Sequence, residues 1–214
     1  LNVQTGKIAM TTTVHLVRHG QTESNITGYF MGASNEDISE LGYRQARSLA
    51  QRLASLPVAV IYTSPLKRTY NTALALAEPH RLEPRVIDDL IEIGLGDWQG
   101  LHRDEISRRW PEVWKQSRVD PSEITLPGGE SFRQVRERAA RVFSQVTAEH
   151  QEGQIVIVSH DAVIRMLVAH VLGAPSSIYR RLEIGNASLS TVKMEDGRAR
   201  LVLLNDTSHL DGLK

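Results

Sequence analysis

Three short apolar runs in this 214-residue chain each stop at a polar cluster. Val14-His15-Leu16-Val17 ends in Arg18-His19-Gly20, residues 58–62 end in Thr63-Ser64-Pro65, and residues 155–158 end in Ser159-His160-Asp161. Runs this short, bounded by turn formers, predict buried strands that hand polar side chains to the loops beyond their carboxyl ends. Between them the hydrophobic period lengthens to that of a helix. Residues 41–56 place Leu41, Ala46, Leu49, Ala50 and Leu53 on one face, with Ser39 positioned as a cap and Glu40 in the first turn. Residues 66–77 and 132–148 continue the series, the latter entered through Gly128-Gly129-Glu130-Ser131, and residues 163–172 are stopped by Gly173 and Pro175. Residues 187–194 and 200–204 flank Glu195-Asp196-Gly197, a hairpin signal that adds strands to the sheet.

Strands alternating with helices predict an α/β fold with a largely parallel sheet, in which ligands bind beyond the carboxyl ends of the strands. The three polar clusters are therefore expected to meet. Residues 1–12 have weak periodicity and are expected to form a flexible lead, with 13–214 as a single domain. Residues 95–127 carry all three tryptophans, Trp98, Trp110 and Trp114, among mixed charges, and are expected to be an inserted lid over the site.

Composition narrows the class. Hydrophobic residues at 41% and charged residues at 23% match a folded globular chain and exclude a disordered or rod-like one. Lys plus Arg and Asp plus Glu, 25 each, cancel, so no global basic field exists to hold nucleic acid or anionic lipid nonspecifically. The absence of cysteine excludes disulfides, thiolate metal sites and a cysteine nucleophile. No apolar run approaches the roughly 20 residues of a membrane span, and the first 13 residues lack the apolar core of a signal peptide. A cytoplasmic protein without nucleic-acid or membrane partners is the expectation.

The strand-end residues suggest the chemistry. Arg18, His19, Arg68 and His160 join two guanidiniums to two imidazoles, a set suited to a dianionic phosphoryl group. A neutral histidine attacks phosphorus in line if a carbonyl or hydroxyl holds its other ring nitrogen as a donor, and His19, in the turn after the first strand, suits that role. The arginines would stabilise the charge that redistributes in the transition state, so no metal or other cofactor is needed. A departing alkoxide needs a proton, and Glu92, between Leu90-Ile91 and Gly94, is the candidate acid. His15 and His19 are more than about 12 Å apart along a strand, too far to share a metal ion. His80, His102, His150 and His170 show no partner pattern and read as surface or packing residues.

Val17-Arg18-His19-Gly20-Gln21-Thr22-Glu23-Ser24-Asn25 resembles the R-H-G-x-T-x-x-N signature of the histidine phosphatase superfamily, also called phosphoglycerate-mutase-like proteins. Ser39-Glu40-Leu41-Gly42, Thr63-Ser64-Pro65-Leu66-Lys67-Arg68-Thr69, the stretch from Glu92 to Gly100, Pro127-Gly128-Gly129-Glu130-Ser131 and Val158-Ser159-His160 resemble its later blocks in order. The resemblance spans about residues 14–210. It implies a three-layer α/β/α sandwich around a mixed, mostly parallel sheet, with Arg18, His19, Arg68 and His160 forming the phosphate pocket. It further implies His19 as the residue phosphorylated in turnover, Glu92 as the proton donor, and Asn25 at the phosphate end with Gln21 and Thr22 in the same loop. Asp161 stands where many members have glycine; its backbone N–H still suits phosphate, whereas its carboxylate must turn away. Gln99 stands where many members have glutamate.

The family holds mutases and phosphatases. The long insertion usual in cofactor-dependent phosphoglycerate mutases is missing, and His102-Arg103-Asp104-Glu105-Ile106 resembles the short phosphatase branch. The reading is therefore a metal-independent phosphomonoesterase acting on a small metabolite such as phosphoserine or phosphoglycerate, with a mutase or a noncatalytic phosphoryl-binding module as alternatives. Blocks around Arg68, Asn186 and His209 look most like metal-independent phosphoserine phosphatases, although Leu95 replaces a polar histidine there. Arg103, Arg108 and His209 are candidate partners for a substrate carboxylate. A homodimer is common in the family, and no sequence feature marks an interface.

Overall fold

The computed structural model describes residues 11–122 and 124–213. The first half runs β1 (Thr11–Arg18), α1 (Glu23–Thr27), β2 (Tyr29–Phe30), α2 (Glu40–Leu53), β3 (Val58–Thr63), α3 (Lys67–Ala77) and β4 (Arg85–Val86). The second runs β5 (Leu101–His102), α4 (Arg103–Arg109), α5 (Pro111–Val119), α6 (Phe132–Glu149), β6 (Gly153–Ser159), α7 (Asp161–Val171), β7 (Leu189–Glu195) and β8 (Arg198–Asp206). Six strands form one sheet in the order β4-β3-β6-β1-β7-β8. β4, β3, β6 and β1 are parallel, while β7 runs against both β1 and β8. This is the expected mixed, mostly parallel sheet.

Side-chain alternation along the central strands divides the core in two. Leu16, Val60, Tyr62, Ile155 and Ile157 pack with α6 and α7 on one face. Val17, Ile61, Val156 and Val158 pack with Leu49, Ala50 and Leu53 of α2 and Ala73, Leu76 and Ala77 of α3 on the other. An α/β/α sandwich results. The registers align the strand ends, since Arg18 pairs with Ser159 and Thr63 with Val158. Whatever follows these strands must gather in one place.

Caps fix where the helices start. Ser39 accepts from Gly42 N at 3.1 Å, and Ser131 forms a reciprocal box with Gln134, accepting its N–H at 3.2 Å and donating its own to Gln134 Oε1 at 2.8 Å. Gly42 is required by contact: a Cβ there would lie 2.3 Å from the Gln21 carbonyl oxygen, so only glycine lets α2 abut the loop after β1. The hairpin turn has Asp196 and Gly197 both at positive φ, 48° and 75°, as the Asp-Gly pair predicts for a two-residue turn.

The ends of the chain differ from expectation in one respect. Thr11 and Thr12 belong to β1, with Thr12 buried and paired to Gly153 and Met194, so the expected lead does not extend to residue 12. Residues 1–10 of that lead lie outside the described residues. The segment expected to be a lid contains β5, α4 and α5, and it is rooted in the core through Trp98, Ile106, Ile124 and Leu126. Among the described residues no helix is long and apolar enough to cross a membrane.

Because Ile157 is 2% exposed in the central strand, Ile157→Ala is expected to lower the unfolding free energy by about 2–5 kcal/mol. Urea denaturation measures this, and a loss under about 1 kcal/mol would contradict the assigned core.

Candidate active site

His19 leaves the end of β1 with its backbone N–H on the Ser159 carbonyl at 3.1 Å, which ties it to β6. Its Nδ1 lies 2.7 Å from the Gly20 carbonyl oxygen. A carbonyl only accepts, so Nδ1 carries the proton and Nε2 keeps its lone pair. Gly20 is itself held, its N–H donating to Thr72 Oγ1 of α3 at 3.0 Å. Burial, and then the charges of Arg18 and Arg68, hold the His19 pKa well below the usual histidine value of 6.5, against the opposing pull of the Gly20 carbonyl. The ring is a neutral base with a fixed tautomer.

Both arginines line the same cavity. Arg18 NH1 donates to the Ile184 carbonyl at 2.6 Å, while its Nε is buried without a hydrogen-bond partner among the described residues. The Arg18 side chain is 17% exposed and lines the cavity, so its guanidinium is a place for an anion. Arg68, 4% exposed on the first turn of α3, donates to the carbonyls of Ser34 at 2.8 Å and Gly32 at 2.6 Å and to His160 Nδ1 at 3.3 Å. Burial lowers its pKa, and Glu92 and Glu36 oppose that shift.

Several expected site residues lie outside the cavity lining. His160 is buried behind His19 and does not line the cavity; the ring centroids are 5.3 Å apart, and Arg68 and Ser64 Oγ, the latter at 2.8 Å, take both its nitrogens. Gln21 is turned away, its Oε1 accepting from Ser39 Oγ at 3.2 Å, because Gly42 draws that loop onto α2. His209 is likewise absent from the cavity: its Nε2 donates to the Ala187 carbonyl at 3.0 Å and its Nδ1 accepts from Arg52 at 3.2 Å, which holds the C-terminal turn on α2. Asn25 and Thr22 do line the cavity, Asn25 Oδ1 accepting from Thr22 N at 3.1 Å and from Asn186 Nδ2 at 2.8 Å.

Glu92 stands half-buried on the cavity wall with Oε1 accepting from Ile93 N at 2.9 Å. Burial raises its pKa above the usual carboxylate value, the Asp161 charge adds to this, and the Ile93 N–H, Arg68 and Arg18 oppose it. Asp161 begins α7, and its carboxylate is engaged as its neighbourhood to a phosphate demands. Oδ1 accepts from Arg165 Nε at 2.9 Å, Oδ2 accepts from the Tyr179 hydroxyl at 3.1 Å, and Arg18 NH1 lies 3.8 Å away.

These groups open on a cavity of about 560 Å³, within the range of small-molecule sites. Beyond the phosphate end it is walled by Phe30, Leu95, Trp98 and Trp114, with Arg103, Arg118 and Arg180 as cations. Trp98 and Trp114 pack on each other and on Phe30, so they serve core and cavity together. Arg108 does not reach it. Sequence reasoning missed Arg118 and Arg180; the only available signal was the four-residue spacing of Trp114 and Arg118, which puts both on one face of α5.

A buried neutral histidine flanked by two arginines and a carboxyl, at the strand ends of an α/β/α sandwich, defines a site that handles phosphoryl groups. Residues 14–207 match the family model of the histidine phosphatase superfamily (branch 1), and the chain belongs to that family. It is 38% identical over 195 residues to phosphoserine phosphatase 1 of Hydrogenobacter thermophilus, covering 91% of this chain and 92% of that protein. It is 33% identical over 207 residues to the metal-independent phosphoserine phosphatase of Arabidopsis thaliana, covering 94% and 84%. Among solved structures, Bacillus stearothermophilus YhfR superposes with a TM-score of 0.90 at 28% identity, covering 93% of this chain and 99% of that one.

The low proton affinity of His19 has a thermodynamic consequence. Just below pH 6.5 the unfolded chain binds a proton there that the folded chain refuses, so stability rises with pH through that window. His19→Gln is expected to reduce this slope by up to about 1.4 kcal/mol per pH unit. Urea unfolding across a pH series reads it, and an unchanged slope would contradict a neutral buried His19.

Proposed function

We propose that this protein is a metal-independent phosphatase that hydrolyses a small phosphomonoester through a phosphohistidine at His19. The observation that carries the reading is the fixed tautomer of His19 in a cavity shared with Arg18, whose Nε has no hydrogen-bond partner among the described residues. In the first step the Nε2 lone pair attacks phosphorus, the ester P–O bond breaks, and Glu92 gives its proton to the departing oxygen. Water then attacks the phosphohistidine and passes a proton to the Glu92 carboxylate; the N–P bond breaks, inorganic phosphate leaves, and both residues are restored. Arg18 and Arg68 stabilise the phosphoryl oxygens in both steps. Asn25 and Thr22 shape the phosphate end. His160 acts from behind, as the acceptor that orients Arg68.

Three features support the roles. A proton donor must be protonated near neutral pH, and the dry wall and Asp161 favour the acid form of Glu92. The Asp161 carboxylate, satisfied by Arg165 and Tyr179, leaves its backbone N–H at the start of α7 free to face phosphate. The positive charge that a metal would otherwise supply comes from Arg18 and Arg68.

The substrate is proposed to be a carboxylated phosphomonoester, phosphoserine or a phosphoglycerate in character. Its organic part would lie along the tryptophan wall, and Arg103 or Arg118 would take the carboxylate, in place of the expected Arg108 and His209. The relatives named as phosphoserine phosphatases support this class. Residues 95–127 then serve as the lid, and the cytoplasm, where such metabolites occur, is the proposed compartment.

Phosphate release from phosphoserine, both phosphoglycerates and p-nitrophenyl phosphate in EDTA tests the reading. The expected result is metal-free release that His19→Ala abolishes without unfolding the protein. Full residual activity in that variant would overturn the covalent route, and interconversion of the phosphoglycerates faster than release would make the protein a mutase. Glu92→Gln is expected to lower kcat/KM for phosphoserine by about 10²- to 10⁴-fold and for the aryl ester far less, because a good leaving group needs no proton. Equal losses would assign Glu92 a merely positional role.

A further inference from the structure

One sequence block, Pro127-Gly128-Gly129-Glu130-Ser131, has no task in the reaction beyond the capping by Ser131, and one buried cation, Arg138, lies on the apolar face of α6. They meet behind Glu92. The Arg138 guanidinium takes Glu130 at two points, Nε to Oε1 and NH2 to Oε2, each at 3.0 Å. Its third nitrogen donates to the carbonyls of Asp89 at 2.8 Å and Ile91 at 2.5 Å. Glu130 Oε2 accepts from Gly94 N at 2.7 Å, and the Glu130 backbone N–H donates to the Gly94 carbonyl at 2.8 Å.

Glu92 is thereby bracketed. Carbonyls on its N-terminal side and both backbone polar groups of Gly94 on the other are held by one ion pair and its own backbone. The strand end completes the frame, Ser159 Oγ donating to the Leu90 carbonyl at 2.8 Å. Gly96 lets the two loops touch: its φ is +54°, and a Cβ there would lie 2.1 Å from the Pro127 carbonyl oxygen.

The pair is weak evidence for stability. The Arg138 side chain is 7% exposed and that of Glu130 28%, and the cost of taking the guanidinium out of water offsets much of what its attraction to the carboxylate returns. A planar fork provides direction instead, fixing several acceptors at once where a lysine would fix one.

We propose that Arg138 and Glu130 are positioning residues that set the Glu92 loop so that its carboxyl meets the leaving-group oxygen. The inference rests on Glu92 being the proton donor. Arg138→Lys keeps the charge and loses the fork, and Glu130→Gln keeps the shape and loses the charge. Each is expected to lower kcat/KM for phosphoserine by about ten- to a hundredfold, the scale of a misplacement near 1 Å, and for p-nitrophenyl phosphate by less than about threefold. Arg138→Lys added to Glu92→Gln is expected to bring no further loss on phosphoserine. Equal losses on both esters, or unchanged activity on both in either folded variant, would overturn the proposal. If Glu92→Gln alone shows leaving-group dependence and the clamp variants do not, the clamp fails and the acid stands; if Glu92→Gln shows none, the acid assignment fails and takes the clamp with it.

Discussion

One hydrogen bond sets the terms for the rest of the site, the 2.7 Å contact in which His19 Nδ1 donates to the Gly20 carbonyl. A histidine in the other tautomer would present N–H to a phosphoryl group and bind it without attacking it. Holding the right tautomer requires a carbonyl in the plane of the ring, and hence a loop whose backbone is fixed. Thr72 of α3 and the Gly42 contact of α2 do this, so α2 contributes to the site without lining the cavity, while α3 both holds the loop and supplies Arg68.

A second constraint is charge. Burial, and then the charges of Arg18 and Arg68, favour neutral imidazoles at His19 and His160, and the same arginine field pulls the Glu92 carboxyl toward its ionised form. Burial and the Asp161 carboxylate oppose that pull at Glu92, while Arg165 and Tyr179 hold the Asp161 carboxylate in place. In the proposed reaction nucleophile and acid thus hold opposite proton affinities within one cavity. The departure from glycine at position 161 is part of that balance.

Much of this was legible in the sequence because strand ends and helix faces are written in periodicity. The runs ending at Arg18, Thr63 and Ser159 were bound to converge once a parallel sheet was inferred, and Ser39 and Ser131 announced their caps. Side-chain direction was not legible. Gln21 and His209 lie beside motif residues in the chain, yet packing turns both away from the cavity. Arg118 and Arg180 resemble solvated arginines until the fold brings them to the same wall. Arg138 breaks an apolar helix face, a signal whose meaning depends on Glu130 and on loop carbonyls about fifty residues earlier.

The central claim is that the phosphoryl group passes through His19. Mixing enzyme with substrate, quenching in alkali within milliseconds and mapping modified peptides by mass spectrometry addresses it directly, since phosphohistidine survives base and is lost in acid. The account predicts an acid-labile phosphate on the peptide that carries His19, formed before inorganic phosphate accumulates. Phosphate release at full rate with no phosphorylated histidine trapped at any time, and with oxygen from labelled water transferred straight to the phosphoryl group with inversion at phosphorus, would contradict it.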